Sequence, residues 1–175
     1  CFAGADVCAT SHTLSQGIRQ SGTYDLILCG KQTTDGDTAQ VGAETAEFLG
    51  IAHGANILEV LETGDTFVTV RMNLENKIQT QKMELPCLLT VDKDVNTPRL
   101  PSYKRRIGMD PGCIKVMGLD DLEDRDSGHY GLKGSPTQVE RIFPPDKKTD
   151  KEIMEGTGRE LAQAMAAVLR KHKFI

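Results

Sequence analysis

A polar loop following a short apolar run is the part of this 175-residue chain best suited to binding a ligand. It reads Gly30-Lys-Gln-Thr-Thr-Asp-Gly-Asp-Thr-Ala-Gln-Val-Gly42. Gly36 would let the backbone approach a ligand closely, because glycine lacks a side chain. Polar side chains around it could bind ribose, pyrophosphate or adenine: Asp35, Asp37, Thr38 and Gln40. The composition indicates either a nucleotide-binding loop or a polar loop that only caps a helix.

The elements around this loop predict an αβα unit of an open α/β sheet. A helix within Phe2–Gln20 precedes the apolar run Tyr24–Cys29, which is typical of a parallel strand buried on both faces. A helix from near Thr38 to about Leu49 follows, with Asp37 or Thr38 as its cap. Ligands of such sheets bind beyond the carboxyl ends of strands, where helix N-termini attract phosphate.

The middle of the chain predicts a β meander. Runs at Asn56–Glu62 and Thr66–Met72 flank Gly64-Asp65 and indicate a hairpin, and Lys77–Met83 adds a third strand. Pro86–Val91 is again typical of a buried strand and is expected to return to the parallel sheet.

The residue pattern after Val91 predicts mostly loop and one long helix. We expect a short strand at Cys113–Met117, a loop over Asp120–Gly134 and an amphipathic helix over Asp150–Lys171. The basic run from Lys104 to Arg106 is typical of a solvated patch, although it could also meet phosphate or an acidic partner.

Composition argues against several classes of protein. The net charge is −4 and Trp is absent, which argues against nucleic-acid binding. No apolar run approaches the roughly 20 residues of a membrane span. Five scattered cysteines indicate reduced thiols in a cytosol-like compartment, and four dispersed histidines show no metal spacing, so no metal site is expected. No Ser-His-Asp, paired-carboxylate or Walker pattern supports hydrolysis or phosphoryl transfer.

Three separated motifs resemble the β subunit of electron transfer flavoproteins. The first is Asp25-Leu-Ile-Leu-Cys-Gly-Lys-Gln32 running into Asp35-Gly-Asp-Thr-Ala-Gln-Val-Gly42. Phe2-Ala-Gly-Ala-Asp6 and Gly131-Leu-Lys-Gly-Ser-Pro-Thr-Gln-Val139 match the same family in the same order. The resemblance covers nearly the whole chain, which opens at Cys1 without Met, and it implies an N-terminally truncated chain that lacks the first strands of the sheet.

The resemblance implies a three-layer α/β/α fold of the adenine-nucleotide α-hydrolase-like type, with a mostly parallel sheet, a small β meander and a C-terminal helical arm. Residues 1–145 would form a partial nucleotide-binding domain, and residues 146–175 an arm contacting the α subunit. The expected partners are that α subunit, in a heterodimer, and an acyl-CoA-type dehydrogenase, in a bacterial or archaeal cytoplasm. The chain would be an electron-transfer subunit with no catalytic acid or base of its own.

The resemblance leaves two nucleotides open for the β subunit. Conventional members bind a structural AMP there, whereas bifurcating members bind a second FAD that takes a hydride from NADH. AMP-binding members tend to have Asp-Asp-Asp-x-Asn-Gln-Thr-Gly in the loop, so Asp35-Gly-Asp-Thr-Ala-Gln-Val-Gly42 favours the bifurcating, FixA-like group and FAD. A stand-alone adenine-nucleotide-binding module is the third alternative.

By position, the resemblance implies nine nucleotide contacts and three partner contacts. The nucleotide contacts are Cys29, Gly30, Asp35, Gly36, Asp37, Thr38, Ala39, Gln40 and Val41. The partner contacts are Arg99, Leu100 and Tyr103. The Ser135–Val139 motif is expected near the α subunit or the flavin, with a structural turn as the alternative.

Overall fold

The computed structural model of the chain describes residues 1–144 and 153–175. The elements, in chain order, are α1 (Val7–Gln20), β1 (Leu26–Gly30), α2 (Val41–Leu49), β2 (Ala52–Thr63), β3 (Phe67–Leu74), β4 (Lys77–Glu84), β5 (Cys87–Val91), α3 (Tyr103–Ile107), α4 (Gly131–Gly134) and α5 (Gly158–Lys171). Contacts divide the chain into two compact units, Cys1–Gln138 and Val139–Ile175. The predicted boundary between residues 145 and 146 lies outside the described residues.

Five strands form one mixed sheet in the order β1-β5-β2-β3-β4. β5 lies between β1 and β2 and is parallel to both, so that Cys87 pairs with Leu26 on one side and Ala52 on the other. β2, β3 and β4 are antiparallel neighbours. The structure thus confirms the α/β class, the return to a parallel sheet and the meander, although the sheet is more mixed than expected.

Buried apolar side chains on both faces hold the sheet against the rest of the core. In β3, buried Val68, Val70 and Met72 alternate with more exposed residues, as expected of a strand with one face in the core. They join a cluster that also contains Ile57, Met83, Cys87 and Leu89. Leu88, also buried, points to the opposite face, where α2 packs against β5.

Two predicted details are wrong. The expected cap at Asp37 or Thr38 does not form, because α2 begins later, at Val41, with Gln40 at the N-cap position and no side-chain cap. The left-handed φ angles of Asp37 and Ala39 prevent an earlier helix start. The expected strand at Cys113–Met117 is also absent from the described chain; the segment continues from a 3₁₀ turn in largely exposed, irregular backbone.

Two further segments differ in extent from the prediction. The stretch Asp120–Gly134, expected to be loop, contains 3₁₀ turns and the single-turn helix α4. The last helix begins at Gly158, where the Thr157 N–H and hydroxyl both donate to Glu160 Oε2 at 2.8 Å. The predicted start of this helix, at Asp150, lies outside the described residues.

Two of the motifs singled out by sequence meet at the start of α1. The Asp6 side chain caps α1 by accepting the Ala9 N–H at 3.0 Å, and it also accepts the Thr137 N–H at 2.9 Å and hydroxyl at 2.7 Å. The Asp6 N–H donates to Ser135 Oγ at 2.8 Å. These contacts agree with a structural turn at Ser135–Val139.

Replacing Asp6 by asparagine is expected to lower the free energy of unfolding at neutral pH by about 1 kcal/mol, the usual net contribution of a hydrogen bond. Asparagine can still cap α1 with its amide oxygen, but its NH2 group replaces the Oδ2 that accepts the Thr137 N–H and hydroxyl. Burial tends to raise the pKa of Asp6, but hydrogen bonds from Ala9 and Thr137 outweigh it and hold the pKa below its ordinary value of 3.8. The stabilisation is therefore complete above the unfolded-state pKa and is lost as pH falls through the lower folded-state value.

Urea unfolding at neutral and acid pH tests this expectation. The matched control is Asp25→Asn, an exposed carboxyl for which little change is expected at either pH. A loss for Asp6→Asn that is equally large at strongly acid pH would contradict the role of the ionised carboxylate.

Candidate functional site

A cavity of about 560 Å³ opens at the carboxyl ends of β1 and β5. Gly30 ends β1 and Val91 ends β5, and both border the cavity. The lining residues are Gly30, Lys31, Gln32, Thr34, Val91, Asp92, Lys93 and Val95. This is the edge at which open α/β sheets bind ligands.

Backbone hydrogen bonds fix the two loops that leave this edge. The Lys31 N–H donates to the Val91 carbonyl at 2.9 Å, and the Asp92 N–H donates to the Ile57 carbonyl at 2.9 Å. Lys31 Nζ lies 3.7 Å from Asp92 Oδ2, so the ammonium group is held at the cavity by its neighbouring carboxylate. Lys93 adds a second ammonium group to the lining.

The loop between β1 and α2 is shaped by its own polar groups. The Gly36 N–H donates to Asp35 Oδ1 at 2.9 Å and to Thr33 Oγ1 at 3.3 Å, while the Asp37 N–H donates to the Thr33 carbonyl at 3.2 Å. Hydrogen bonds from the Thr33 hydroxyl and the Gly36 N–H hold the pKa of Asp35 below its ordinary value. Asp35 is therefore ionised at neutral pH.

Two non-glycine residues of this loop have left-handed backbone conformations. Asp37 has a φ of 51° and Ala39 a φ of 56°, and Gln32 Nε2 donates to Asp37 Oδ1. Such conformations cost energy and are concentrated at ligand-binding sites. They bring the chain into α2 without a side-chain cap, so N–H groups of its first turn stay available for a ligand.

The nine predicted nucleotide contacts lie on this loop and the strand before it. Gly30 borders the cavity, Cys29 is half-buried in β1, and Val41 begins α2. The other six are exposed on the loop: Asp35, Gly36, Asp37, Thr38, Ala39 and Gln40.

Sequence reasoning missed the part of the lining that follows β5. Asp92 and Lys93 come directly after the predicted strand Pro86–Val91, at the same edge as the first loop. The rule that carboxyl ends of parallel strands meet at one edge could have identified them.

The three predicted partner contacts lie on the exposed segment that follows β5, where Arg99 and Leu100 precede α3 and Tyr103 is its first residue. Leu100 is 93% exposed and Tyr103 is 78% exposed. Arg99 and Leu100 line a shallow groove together with Asn96, Pro101, Ser102, Arg105, Arg106 and Met109. The segment presents apolar and cationic groups side by side to solvent.

A family model described as the electron transfer flavoprotein domain matches residues 1–117. The chain belongs to the electron transfer flavoprotein family. This confirms the resemblance given by the three motifs, and the relatives below place the chain among β subunits.

Three relatives show how far the similarity extends. The chain is 37% identical to the electron transfer flavoprotein subunit beta of Clostridium acetobutylicum over 174 residues, which cover 99% of this chain and 66% of the relative. It is 35% identical over 175 residues to the caffeyl-CoA reductase-Etf complex subunit CarD of Acetobacterium woodii, with the same coverage. It is 32% identical to the protein FixA of Bradyrhizobium diazoefficiens over 171 residues, covering 94% of this chain and 59% of the relative. The chain thus spans slightly less than two thirds of the length of such relatives.

The lengths and hydropathy of the helices bear on whether the chain could span a membrane. Among the helices that the structure describes, none is long and apolar enough to cross a membrane.

Proposed function

We propose that this electron transfer flavoprotein chain acts as a β subunit that binds FAD in the cavity at the ends of β1 and β5. NADH would be the electron donor, and electrons would leave through the FAD of an α subunit in a heterodimer. The observation that carries the proposal is the cavity itself, bordered by the loop that leads to an uncapped helix N-terminus.

The residues around the cavity fit an adenine nucleotide. Its volume of about 560 Å³ lies within the range of about 300–1,000 Å³ that is usual for small-molecule sites. Lys31 and Lys93 supply positive charge to the cavity. The first turn of α2 does not line the cavity, but the loop that borders the cavity leads into it, and it offers N–H groups and the positive end of a helix dipole. These are the groups that a pyrophosphate requires.

In this proposal the chain's own residues bind and orient the nucleotide. The N–H groups of Val41 and Gly42, with Lys31, would hold phosphate, while Thr38 and Gln40 would orient the ribose and the base. When bound, the flavin supplies the hydride and electron chemistry, and the protein determines its position and surroundings. No side chain of the site is required as a catalytic acid or base.

The exposed segment containing Arg99, Leu100 and Tyr103 is proposed to dock a redox partner. Its apolar and cationic groups suit a partner surface with an apolar pocket and acidic rim. One relative is named as a subunit of a caffeyl-CoA reductase complex, which supports an acyl-CoA-type dehydrogenase as that partner.

Nucleotide analysis of the natively expressed protein tests the proposal. The protein is purified with its partner, denatured, and the released nucleotides are separated by chromatography. We expect two FAD molecules per heterodimer and reduction of flavin by NADH. One FAD with one AMP would replace the proposal by a conventional electron carrier with a structural nucleotide. A protein without flavoprotein partner or flavin would indicate a stand-alone nucleotide-binding module.

A further inference from the structure

A histidine of α1 meets two side chains from a segment more than 100 positions later in the sequence. Asp124 Oδ2 lies 3.1 Å from His12 Nε2 and 2.7 Å from His129 Nδ1. One ligand atom from each residue lies within 4.8 Å of the other two. We call this set, His12, Asp124 and His129, the two-histidine cluster. None of its residues lines the proposed nucleotide cavity.

Hydrogen bonds to both the backbone and the side chain hold Asp124 in place. Its backbone N–H donates to Gln16 Oε1 at 3.2 Å, and its backbone carbonyl accepts the Tyr130 hydroxyl at 2.5 Å. The Asp126 N–H donates to Asp124 Oδ1 at 3.0 Å. Gln16 and Tyr130 are both buried. Because Oδ1 already has this partner, Oδ2 is directed at the two imidazoles.

The His12 imidazole is also fixed in place. Its ring centroid lies 5.4 Å from that of Phe48 and 5.1 Å from that of Tyr130, and its side chain is 17% exposed. His129, by contrast, is 60% exposed and approaches from the turn after Asp126. The cluster therefore combines two rigid ligand groups with one accessible group, an arrangement that is prepared before any ion binds.

A cavity of about 340 Å³ lies against the two imidazoles. Its lining contains both histidines together with Cys8, Ala9, Phe48, Gly128, Lys133 and Gly134. This space can admit an ion and the water molecules that complete its coordination. Lys133 is the cationic group of the lining and would oppose the ion's charge, so the affinity depends on the Asp124 carboxylate.

We propose that the two-histidine cluster binds a divalent transition-metal ion of the zinc type. The ligands are His12 Nε2, His129 Nδ1 and a carboxylate oxygen of Asp124. Two imidazoles and one carboxylate are a usual ligand set for Zn²⁺, with water at the remaining position. Metal–ligand distances of about 2.0–2.2 Å in a tetrahedral site place the ligand atoms about 3.3–3.6 Å apart. Both imidazole nitrogens must therefore move away from Asp124 Oδ2, from the present 3.1 Å for His12 and 2.7 Å for His129, while staying within the 4.8 Å that spans the cluster. Bound there, the ion would connect α1 to the segment that contains Asp124 and His129.

This proposal revises the expectation of no metal site, which rested on sequence spacing alone. His12 and Asp124 are separated by 112 positions, so no local motif can contain them. The proposal does not depend on the nature of the nucleotide at the other site.

Titration of the natively expressed, metal-depleted protein with Co²⁺, and then with Zn²⁺ as competitor, tests the proposal. We expect one Co²⁺ per chain with visible d–d absorption, displaced by Zn²⁺. Replacing His129 by glutamine is expected to weaken Co²⁺ binding at least about 10-fold, the smallest loss that altering even an outer-shell partner usually causes. Because His129 is largely exposed, this variant is expected to fold normally.

The matched control is His53→Gln, which changes an exposed histidine on β2 outside the cluster. Its Co²⁺ affinity should equal that of the unmodified protein, and circular dichroism should be the same for all three proteins. Equal affinities for the His129→Gln and His53→Gln proteins would overturn the proposal. So would a thiolate-to-cobalt charge-transfer band, which would place the ion on cysteine, or a lack of saturable binding.

Discussion

Replacing Gly42 by alanine is expected to destabilise the protein by about 1–3 kcal/mol, the usual cost of overpacking a core. Gly42 lies in the first turn of α2, where the helix packs against β5. A Cβ atom at this position would lie 2.3 Å from Thr90 Cγ2 and 3.4 Å from Leu88 Cδ2. The first of these distances is far inside van der Waals contact, so a group must move.

Neither of the available movements is free of cost. Rotating the Thr90 side chain would remove the hydrogen bond that the Asn56 N–H donates to Thr90 Oγ1 at 3.1 Å. Shifting α2 away from β5 would move the helix N-terminus and the loop before it. The gain in helix propensity from glycine to alanine, at most about 1 kcal/mol, offsets only part of the loss. We therefore expect weaker nucleotide binding together with lower stability.

Urea unfolding and nucleotide content, measured on the same preparations, test this expectation. The control for the unfolding measurement alone is Gly30→Ala, because a Cβ at Gly30 has no heavy atom within 4 Å among the described residues apart from its immediate neighbours. Nucleotide content is not compared for this variant, because Gly30 borders the cavity. Its stability should stay within experimental error of the unmodified protein. Unfolding midpoints that coincide for the Gly42→Ala and Gly30→Ala proteins would show that the packing of α2 on β5 is more tolerant than the distances indicate.

The sheet could be predicted from the sequence because each strand carries its own signal. Leu26–Cys29 is a continuous apolar run and Cys87–Val91 is apolar apart from Thr90, as is typical of parallel strands. β5 is buried from Cys87 to Thr90, but the prediction that β1 is buried on both faces is wrong, because Leu28 is 61% exposed. The residues of β3 alternate because one face alone lies in the core. The turn at Gly64-Asp65 sets the register of the hairpin. These signals come from residues that are neighbours in sequence, and they were sufficient to predict the five strands in their order along the chain.

The features that could not be predicted depend on contacts between distant segments or on backbone angles. The left-handed φ angles of Asp37 and Ala39 delay the start of α2, and nothing in an alanine residue indicates such an angle. The apolar residues Ile114 and Val116 suggested a strand, but they are exposed and belong to no strand of the described sheet. The two-histidine cluster likewise exists only because the fold brings its members together.

Changing the loop to the pattern typical of AMP-binding members is expected to exchange the proposed FAD for AMP. The triple variant Gly36→Asp, Ala39→Asn and Val41→Thr gives this loop that pattern. FAD is expected to fall from two molecules to one per heterodimer, with AMP appearing in equal amount. The physical reason is space, because Asp and Asn are larger than the Gly36 and Ala39 that let a flavin nucleotide approach the backbone.

The backbone of the loop can accept these changes, so the experiment addresses binding and not folding. Asparagine tolerates the left-handed φ of 56° at position 39 better than most residues. A Cβ at Gly36 would meet Thr33 Oγ1 at 3.4 Å, which is an ordinary contact. Threonine matches the size and branching of Val41, whose carbonyl accepts the Ser11 hydroxyl at 3.2 Å through the backbone.

The single variant Ala39→Gly controls for altering the loop without adding bulk, because glycine readily adopts the left-handed φ of 56° at this position. It should keep two FAD molecules per heterodimer and the same reduction by NADH. If the triple variant also retains both FAD molecules and takes up no AMP, the nucleotide is not selected by this loop. The selection would then lie with the other wall of the cavity, where Asp92 and Lys93 follow β5.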